Sequence, residues 1–575
     1  MFSKSRFIGA ASFNASLFSV VSLFLMSHSA FATTRYIAQT AGTFTGGIAC
    51  NGQTAITPAA FNSTTLSPGD TTYICGTITG AQNTTLLTVS QSGTSGNPIT
   101  IFFDSGAVLA ATQWPAGGMG GAINISGANY ITINGNGGTG GYTQGIIEST
   151  LTGDSGATCP GGPCTIHTDS NGIEADSSNN ITIEGLAIID MYVTAPGVPS
   201  GGGSQCIYAN EGSNSNWIIT NNLFHDVSWC INFQFTSGTS TNNVISNNTI
   251  YNIDHGIAIG GAAGGATFEN LNVYGNNIHD YSNWDTSGDI WHHDGIHIWG
   301  EADNGSDPIQ NVNIYNNKFG GCVGNNVTAH IFVEANAGST TNVSIYNNTL
   351  IDTCNGQDTD GLLTTGEDGG YKIYNNTFIG TSGDTCVGTS SSPNVTFVNN
   401  VVSGCGMLQY IASGGGFVSG GLHNNIYANC TSSNCFAFPG GYTASFAAWQ
   451  SYTGQDASPS AYVASADLSA AGVPQSGSPG IGVGANLVSL GISTLDTDIV
   501  GNPRPTTGAW TAGAYSTSGT GPQPPTGLTG TVVANLNLGF CSVTGSSSMV
   551  FNDREVFRAF RNFAGLAPVP QKRNS

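Results

Sequence analysis

The stretch Asn216-Trp217-Ile218-Ile219-Thr220-Asn221-Asn222 is answered by Asn242-Asn243-Val244-Ile245-Ser246-Asn247-Asn248. Each copy sets alternating apolar residues between asparagines. Later copies end at Asn277, Asn317, Asn348, Asn376, Asn400 and Asn425, and two weaker ones end in Asn134-Gly135 and Glu184-Gly185. Neighbouring full copies lie between 24 residues (Asn376 to Asn400) and 40 residues (Asn277 to Asn317) apart. Period-2 strands of this length, punctuated by Asn and Gly, cannot bury a core singly. Repeated at such spacing with insertions of variable length, they predict an all-β solenoid, a single-stranded right-handed parallel β-helix. Each coil then gives an Ile or Val to an interior stack. The second Asn of each copy is expected to take the left-handed turn conformation. Asn222, Asn248, Asn277, Asn317, Asn348, Asn376, Asn400 and Asn425 should align along one edge as a hydrogen-bonded ladder.

Composition agrees with an exported solenoid. Gly makes up 82 of 575 residues, and charged residues only 8%. Eleven Lys+Arg against 33 Asp+Glu leave a net charge of −22, which repels nucleic acid and anionic lipid. Residues 1–32 read as a signal peptide: Lys4 and Arg6, an apolar run from Leu17 to Met26, then Ala30-Phe31-Ala32. No later run approaches the 18 apolar residues of a membrane span. The mature chain is therefore expected to be secreted, extracellular or periplasmic, without membrane insertion and as a monomer. Residues 33–515 are assigned to the β-helix. Residues 516–575 read as a linker and tail: Pro522 to Val533 resembles the approach to a fibronectin-type-III module, but the 42 residues beyond Val533 are too few for one. A truncated or frame-shifted module is the preferred account, a short helical tail the second.

Thirteen Cys suit an oxidising compartment. Proximity suggests the pairs Cys50/Cys75, Cys159/Cys164, Cys206/Cys230, Cys322/Cys354, Cys386/Cys405 and Cys430/Cys435, with Cys541 left over.

Pro68-Gly69-Asp70 and Ser92-Gly93-Thr94-Ser95-Gly96-Asn97-Pro98-Ile99-Thr100-Ile101 resemble the opening coils of secreted bacterial proteins of the pectate-lyase-like β-helix superfamily. Gly501-Asn502-Pro503-Arg504-Pro505 and Gly513-Ala514-Tyr515 are similar to the way many members close. The resemblance spans about residues 34–515. It implies the fold and leaves the activity open, because members include lyases, hydrolases, epimerases and binders.

A second column of strands accompanies the Asn copies. Aligned on inward residues Ile173, Ile207, Ile231, Ile257, Ile296, Ile331 and Leu362, it turns Glu174, Tyr208, Asn232, Ala258, His297, Phe332 and Leu363 outward. Two places before the inward residue stand Trp229, His255, Asp294 and Asp360. With a bend just before Gly256 and Gly295, His255, Asp294 and His297 share one patch; without it Asp294 faces inward. The densest segment, Asp289 to Glu301, holds His292, His293 and His297, Trp291 and Trp299, and three carboxylates, with Trp284 just before. Trp rings stack on sugar faces while Asp and His bond hydroxyls, so this is the predicted site. Asp294, His297, His293 and His255 are the candidate catalytic residues. Trp291, Trp299, Trp284, Glu174, Tyr208 and Asn232 are the candidate substrate contacts.

Asp294-Gly295-Ile296-His297 resembles the Asn-Thr-Asp-Gly-Ile-Asp motif of polygalacturonase-type hydrolases. It departs from the motif at His292, His293 and His297, and the Arg-Ile-Lys signature is missing. A pectate-lyase-type base, Arg or Lys, has few candidates: between Arg35 and Arg504 only Lys318 and Lys372 occur, so His293 or His297 would have to substitute. No cofactor is required. Ca²⁺ enters if the ligand is a polyuronide, with Glu301, Asp303 and Asp307 as one candidate oxygen cluster. Two readings remain: a polysaccharide-cleaving enzyme, hydrolase or lyase, and a non-catalytic polysaccharide-binding or adhesive surface protein.

Overall fold

The alternating Ile and Val residues of the repeat meet in register from coil to coil. Ile133, Ile183, Ile219, Ile245, Val273, Ile314, Ile345, Ile373 and Phe397 form one continuous parallel stack. None is more than 1% exposed. The computed structural model describes residues 32–517 apart from 117–119, 140, 142, 151–157, 160–161, 164–169, 192–203, 236, 262–265, 282–292, 301–308, 325–326, 336–339, 354–358 and 367–369. The chain divides into two units, Met1–Gly521 and Pro522–Ser575, and every described residue belongs to the first. Residues 1–31, within the segment read as a signal peptide, and the tail from residue 518, with Cys541, lie outside the described residues.

Each middle coil has three parallel faces. The second face stacks Ile188, Phe224, Ile250, Ile278, Phe319, Leu350, Phe378, Val402 and Tyr427. The third stacks Ile173, Ile207, Ile231, Ile257, Ile296, Ile331, Leu362 and Val387. A buried side chain of this size contributes roughly 1.5–3 kcal/mol only when its neighbours exclude water, so a coil is stable only within the stack. The chain is a right-handed parallel β-helix.

The corner between the first and second faces explains the Asn-Asn phrase, with two corrections. The left-handed residue is the first Asn of each pair: Asn221, Asn247, Asn316, Asn347, Asn375, Asn399 and Asn424 have φ between 51° and 62°. That geometry turns the chain and frees the second Asn to face the interior, where it builds the ladder. Asn248 is typical. Its Oδ1 accepts the Asn222 N–H at 3.0 Å, and its Nδ2 donates to the Ile219 carbonyl and to Asn276 Oδ1. The ladder member of the next coil is therefore Asn276, not Asn277, which pairs with Thr249 and is exposed. Here Gly275, φ 67°, takes the turn position that Asn fills elsewhere, moving the phrase by one residue. The other seven asparagines run through Asn317, Asn348, Asn376 and Asn400 to Asn425 as expected.

Cys50–Cys75, Cys386–Cys405 and Cys430–Cys435 are disulfides, and Cys322 is also disulfide-bonded. Cys159, Cys164 and Cys354 have no described side chains. The Cys206/Cys230 bridge is not formed. These two buried thiols face each other with their sulfurs 3.2 Å apart.

Candidate active site

The third face presents an outer row as well as an inner one. Register pairs His255 with Asp294, Ala258 with His297, and Gly260 with Trp299. On the next coil it pairs Asp294 with Ala329, His297 with Phe332, and Trp299 with Glu334. The expected bend is present. Ladder pairing lapses at Gly256 and Gly295, between residues that pair on either side. A Cβ on Gly256 would lie 2.5 Å from the Gly295 carbonyl, and one on Gly295 2.5 Å from that of His330. The bend brings His255 and Asp294 to the same side as His297.

Asp294 is the centre of the cluster and is fully buried. Its Oδ1 accepts the Ala329 N–H at 3.0 Å. Its Oδ2 lies 3.6 Å from His255 Nε2 and 3.9 Å from His297 Nδ1. His297 Nε2 reaches Glu334 Oε2 at 3.3 Å. The His297 ring stacks on Phe332 with centroids 4.8 Å apart, and Trp299 lies beside it at 4.8 Å. Trp229 covers the His255 ring at 4.3 Å and meets Trp299 edge to face. His293 forms a second tier: its Nδ1 is 3.6 Å from Asp254 Oδ1, whose Oδ2 accepts the Ser228 hydroxyl at 2.8 Å. All four candidate catalytic residues therefore share one buried cluster, and Trp299 borders it.

Glu334, Asp254, Ser228 and Trp229 complete the cluster; the sequence did not single out Glu334 or Ser228, whereas Trp229 already stood in the outward column with His255. Glu334 stands three places after inward Ile331, as Trp299 does after Ile296. Counting the outward row two residues further would have found it. Trp284, Trp291, Glu301, Asp303 and Asp307 lie outside the described residues.

Glu174, Tyr208 and Asn232 occupy the same outward row on earlier coils. Four coil steps separate Glu174 from His297, roughly 19 Å at the usual strand spacing. All three are buried. Glu174 Oε2 accepts the Gly120 N–H at 2.9 Å and the Asn171 amide at 3.3 Å, whereas Glu174 Oε1 and Asn232 Oδ1 have no hydrogen-bond partner among the described residues. Burial raises the Glu174 carboxyl above its ordinary range against those two donors. It raises the Tyr208 hydroxyl to about 12, with Asp176, Glu174 and Glu211 adding to the effect. His330, wholly interior on the next coil, is held neutral by burial, its pKa lowered to about 3. Lys372 lies on the first face, bonded to Asn342, and Lys318 is exposed on the second.

Half-buried Asp176 beside this patch has its pKa raised to about 6, chiefly by burial; the Asn210 N–H opposes the shift, and Glu174 and Glu211 add to it. Between pH 4 and 6 the folded chain holds a proton that the unfolded chain has released. This carboxyl's contribution to stability is thus full below about pH 4 and lost as pH rises through about 6. Asp176→Asn keeps an acceptor for Asn210. It should stabilise the protein at pH 7 by about 1 kcal/mol, discounted for solvent screening, and by nothing at pH 4. Urea midpoints at the two pH values measure this; an equal change at both would contradict it.

No protein-family model and no curated protein matches the chain. Solved structures do. A pectate lyase, Pel9A, matches at 14% identity over 84% of this chain and 97% of its own, with a TM-score of 0.32. A GH136 lacto-N-biosidase from Eubacterium ramulus matches at 13% over 75% and 67%, TM-score 0.40. XylC, solved with xylose, matches at 12% over 70% and 86%, TM-score 0.37. The chain resembles the pectate-lyase-like β-helix proteins. The likeness is one of fold, and what the outer row does rests on its own residues. Among the described residues, no helix is long and apolar enough to cross a membrane.

Proposed function

We propose that this is a secreted carbohydrate-active protein that cleaves a polysaccharide laid along the outer row of the third face. The observation that carries the reading is the meeting of His255, Asp294 and His297, from two adjacent coils, beside the Trp229 and Trp299 rings. Aromatic faces hold a sugar ring, and a buried carboxylate between two imidazoles supplies acid–base chemistry beside it. Upstream, buried Glu174, Tyr208 and Asn232 continue the same row. With no Lys of the β-helix on this face and a net charge of −22, a neutral glycan fits better than a polyuronide.

Incubating the purified chain with neutral and acidic polysaccharides, and following reducing ends together with ultraviolet absorbance of unsaturated products, tests this. Reducing ends alone on a neutral glycan are expected, and mean hydrolysis. Both signals mean a lyase. Binding with neither signal favours the non-catalytic reading. Trp299→Ala should raise KM about tenfold with little change in kcat, as loss of a stacking contact of about 1–2 kcal/mol would. A pure kcat loss would remove Trp299 from the binding surface.

A further inference from the structure

We infer that His255, Asp294 and His297 bind one divalent transition-metal ion of the Zn²⁺ class. The inference stands on the geometry of the three side chains and does not require that the groove cleave a glycan. Two partly exposed His–Asp pairs of this chain are simple hydrogen bonds, 2.5 Å for His225–Asp226 and 2.6 Å for His279–Asp280, while the buried His293–Asp254 pair stands at 3.6 Å. At Asp294 one carboxylate oxygen faces two imidazoles instead of one. Oδ2 is 3.6 Å from His255 Nε2 and 3.9 Å from His297 Nδ1, and all three atoms lie within 4.8 Å of one another. A tetrahedral ion with bonds of about 2.0–2.2 Å holds its ligand atoms about 3.4 Å apart. The gap at Asp294 is too long for a hydrogen bond and close to that of three atoms sharing an ion.

The surrounding groups orient the three donors for such a role. The Ala329 N–H engages Asp294 Oδ1, and Oδ2 faces both rings. Glu334 Oε2 sits 3.3 Å from His297 Nε2, on the opposite side of the ring from the Nδ1 that faces Asp294. A carboxylate behind a histidine in this way is the usual support of a metal-bound imidazole. Phe332 stacks on the His297 ring and Trp229 packs at a tilt against that of His255, which holds both rings in place. Two imidazoles and one carboxylate suit Zn²⁺ and its first-row neighbours; Ca²⁺ and Mg²⁺ prefer all-oxygen sets. Three protein ligands leave a fourth position for water or a substrate oxygen. The other His/carboxylate cluster among the described residues, Asp190, His225 and Asp226, is half-exposed, and His225 Nδ1 is already committed to Asp226. It serves as the internal control.

The test uses the untagged full chain, stripped with a chelator, dialysed, and titrated with Zn²⁺ by calorimetry, with bound metal counted by mass spectrometry. One Zn²⁺ per chain is expected, undisturbed by excess Ca²⁺. A His255→Ala/His297→Ala variant with wild-type circular dichroism should lose at least 100-fold in affinity. Glu334→Gln, which touches no ion, should lose about 10–100-fold, and Asp226→Asn should bind as the wild type does. The inference is overturned if the stripped wild type takes up no more Zn²⁺ than the double variant, or if Ca²⁺ displaces it. It is equally overturned if Asp226→Asn abolishes binding. Since the readout is bound metal, its failure is distinct from failure of the polysaccharide assay.

Discussion

Asp294→Asn should lower turnover on the polysaccharide substrate by about 10²–10⁴-fold while leaving the fold intact. The substitution keeps size and keeps an oxygen for the Ala329 N–H, the contact that seats the side chain. It removes only the negative charge that lies between the imidazoles of His255 and His297. That charge is needed whether Asp294 polarises an imidazole directly or shares an ion with it, so the loss should appear in kcat more than in KM. His297→Ala should cost a similar factor, and the two losses should not add, because the residues act as one unit. The measurement is steady-state turnover beside a urea melt. Variants that keep full turnover would move the chemistry along the row toward Glu174 and Asp176, where burial has already raised two carboxyls.

Period and chemistry made the fold legible. Alternation placed Ile219, Ile245 and Ile345 in strands, and aligning inward Ile residues recovered the third-face register from Ile173 to Leu362. From that register the meeting of His255, Asp294 and His297 followed, given a bend at glycines that only close backbone approach requires. What escaped was what parity alone does not encode. Asn276 was hidden because Gly275 replaced the first Asn of its pair. Glu334 was hidden because its link to His297 crosses to the next coil, 37 residues on. Nor does spacing decide whether paired cysteines bond: Cys50 and Cys75 do so across 25 residues, whereas Cys206 and Cys230, 24 apart, touch as free thiols.

The largest expected effect on stability lies in the Asn ladder. Asn348→Ala should destabilise the protein by about 4 kcal/mol. Asn348 Oδ1 accepts the Asn317 N–H at 2.9 Å and the Asn317 amide at 3.1 Å. Its Nδ2 donates to the Ile314 carbonyl at 2.9 Å and to Asn376 Oδ1 at 3.0 Å. Alanine leaves the Asn317 N–H without that acceptor, an orphan costing roughly 1–3 kcal/mol where water cannot enter, and three further contacts go at about 0.5–1 kcal/mol each. The contrast is Asn342, in an exposed outer row, whose amide donates to Asn311 Oδ1 and whose oxygen accepts Lys372. Asn342 is left-handed, φ 58°, so Gly is the substitution that removes its bonds without adding strain. Asn342→Gly should cost no more than about 1 kcal/mol, because water replaces the lost partners. Urea midpoints of the two variants compare a dry ladder with a wet one. If Asn348→Ala unfolds within 1 kcal/mol of wild type, or Asn342→Gly costs as much as Asn348→Ala, the buried ladder is not what holds the coils in register, and the apolar stacks must do so alone.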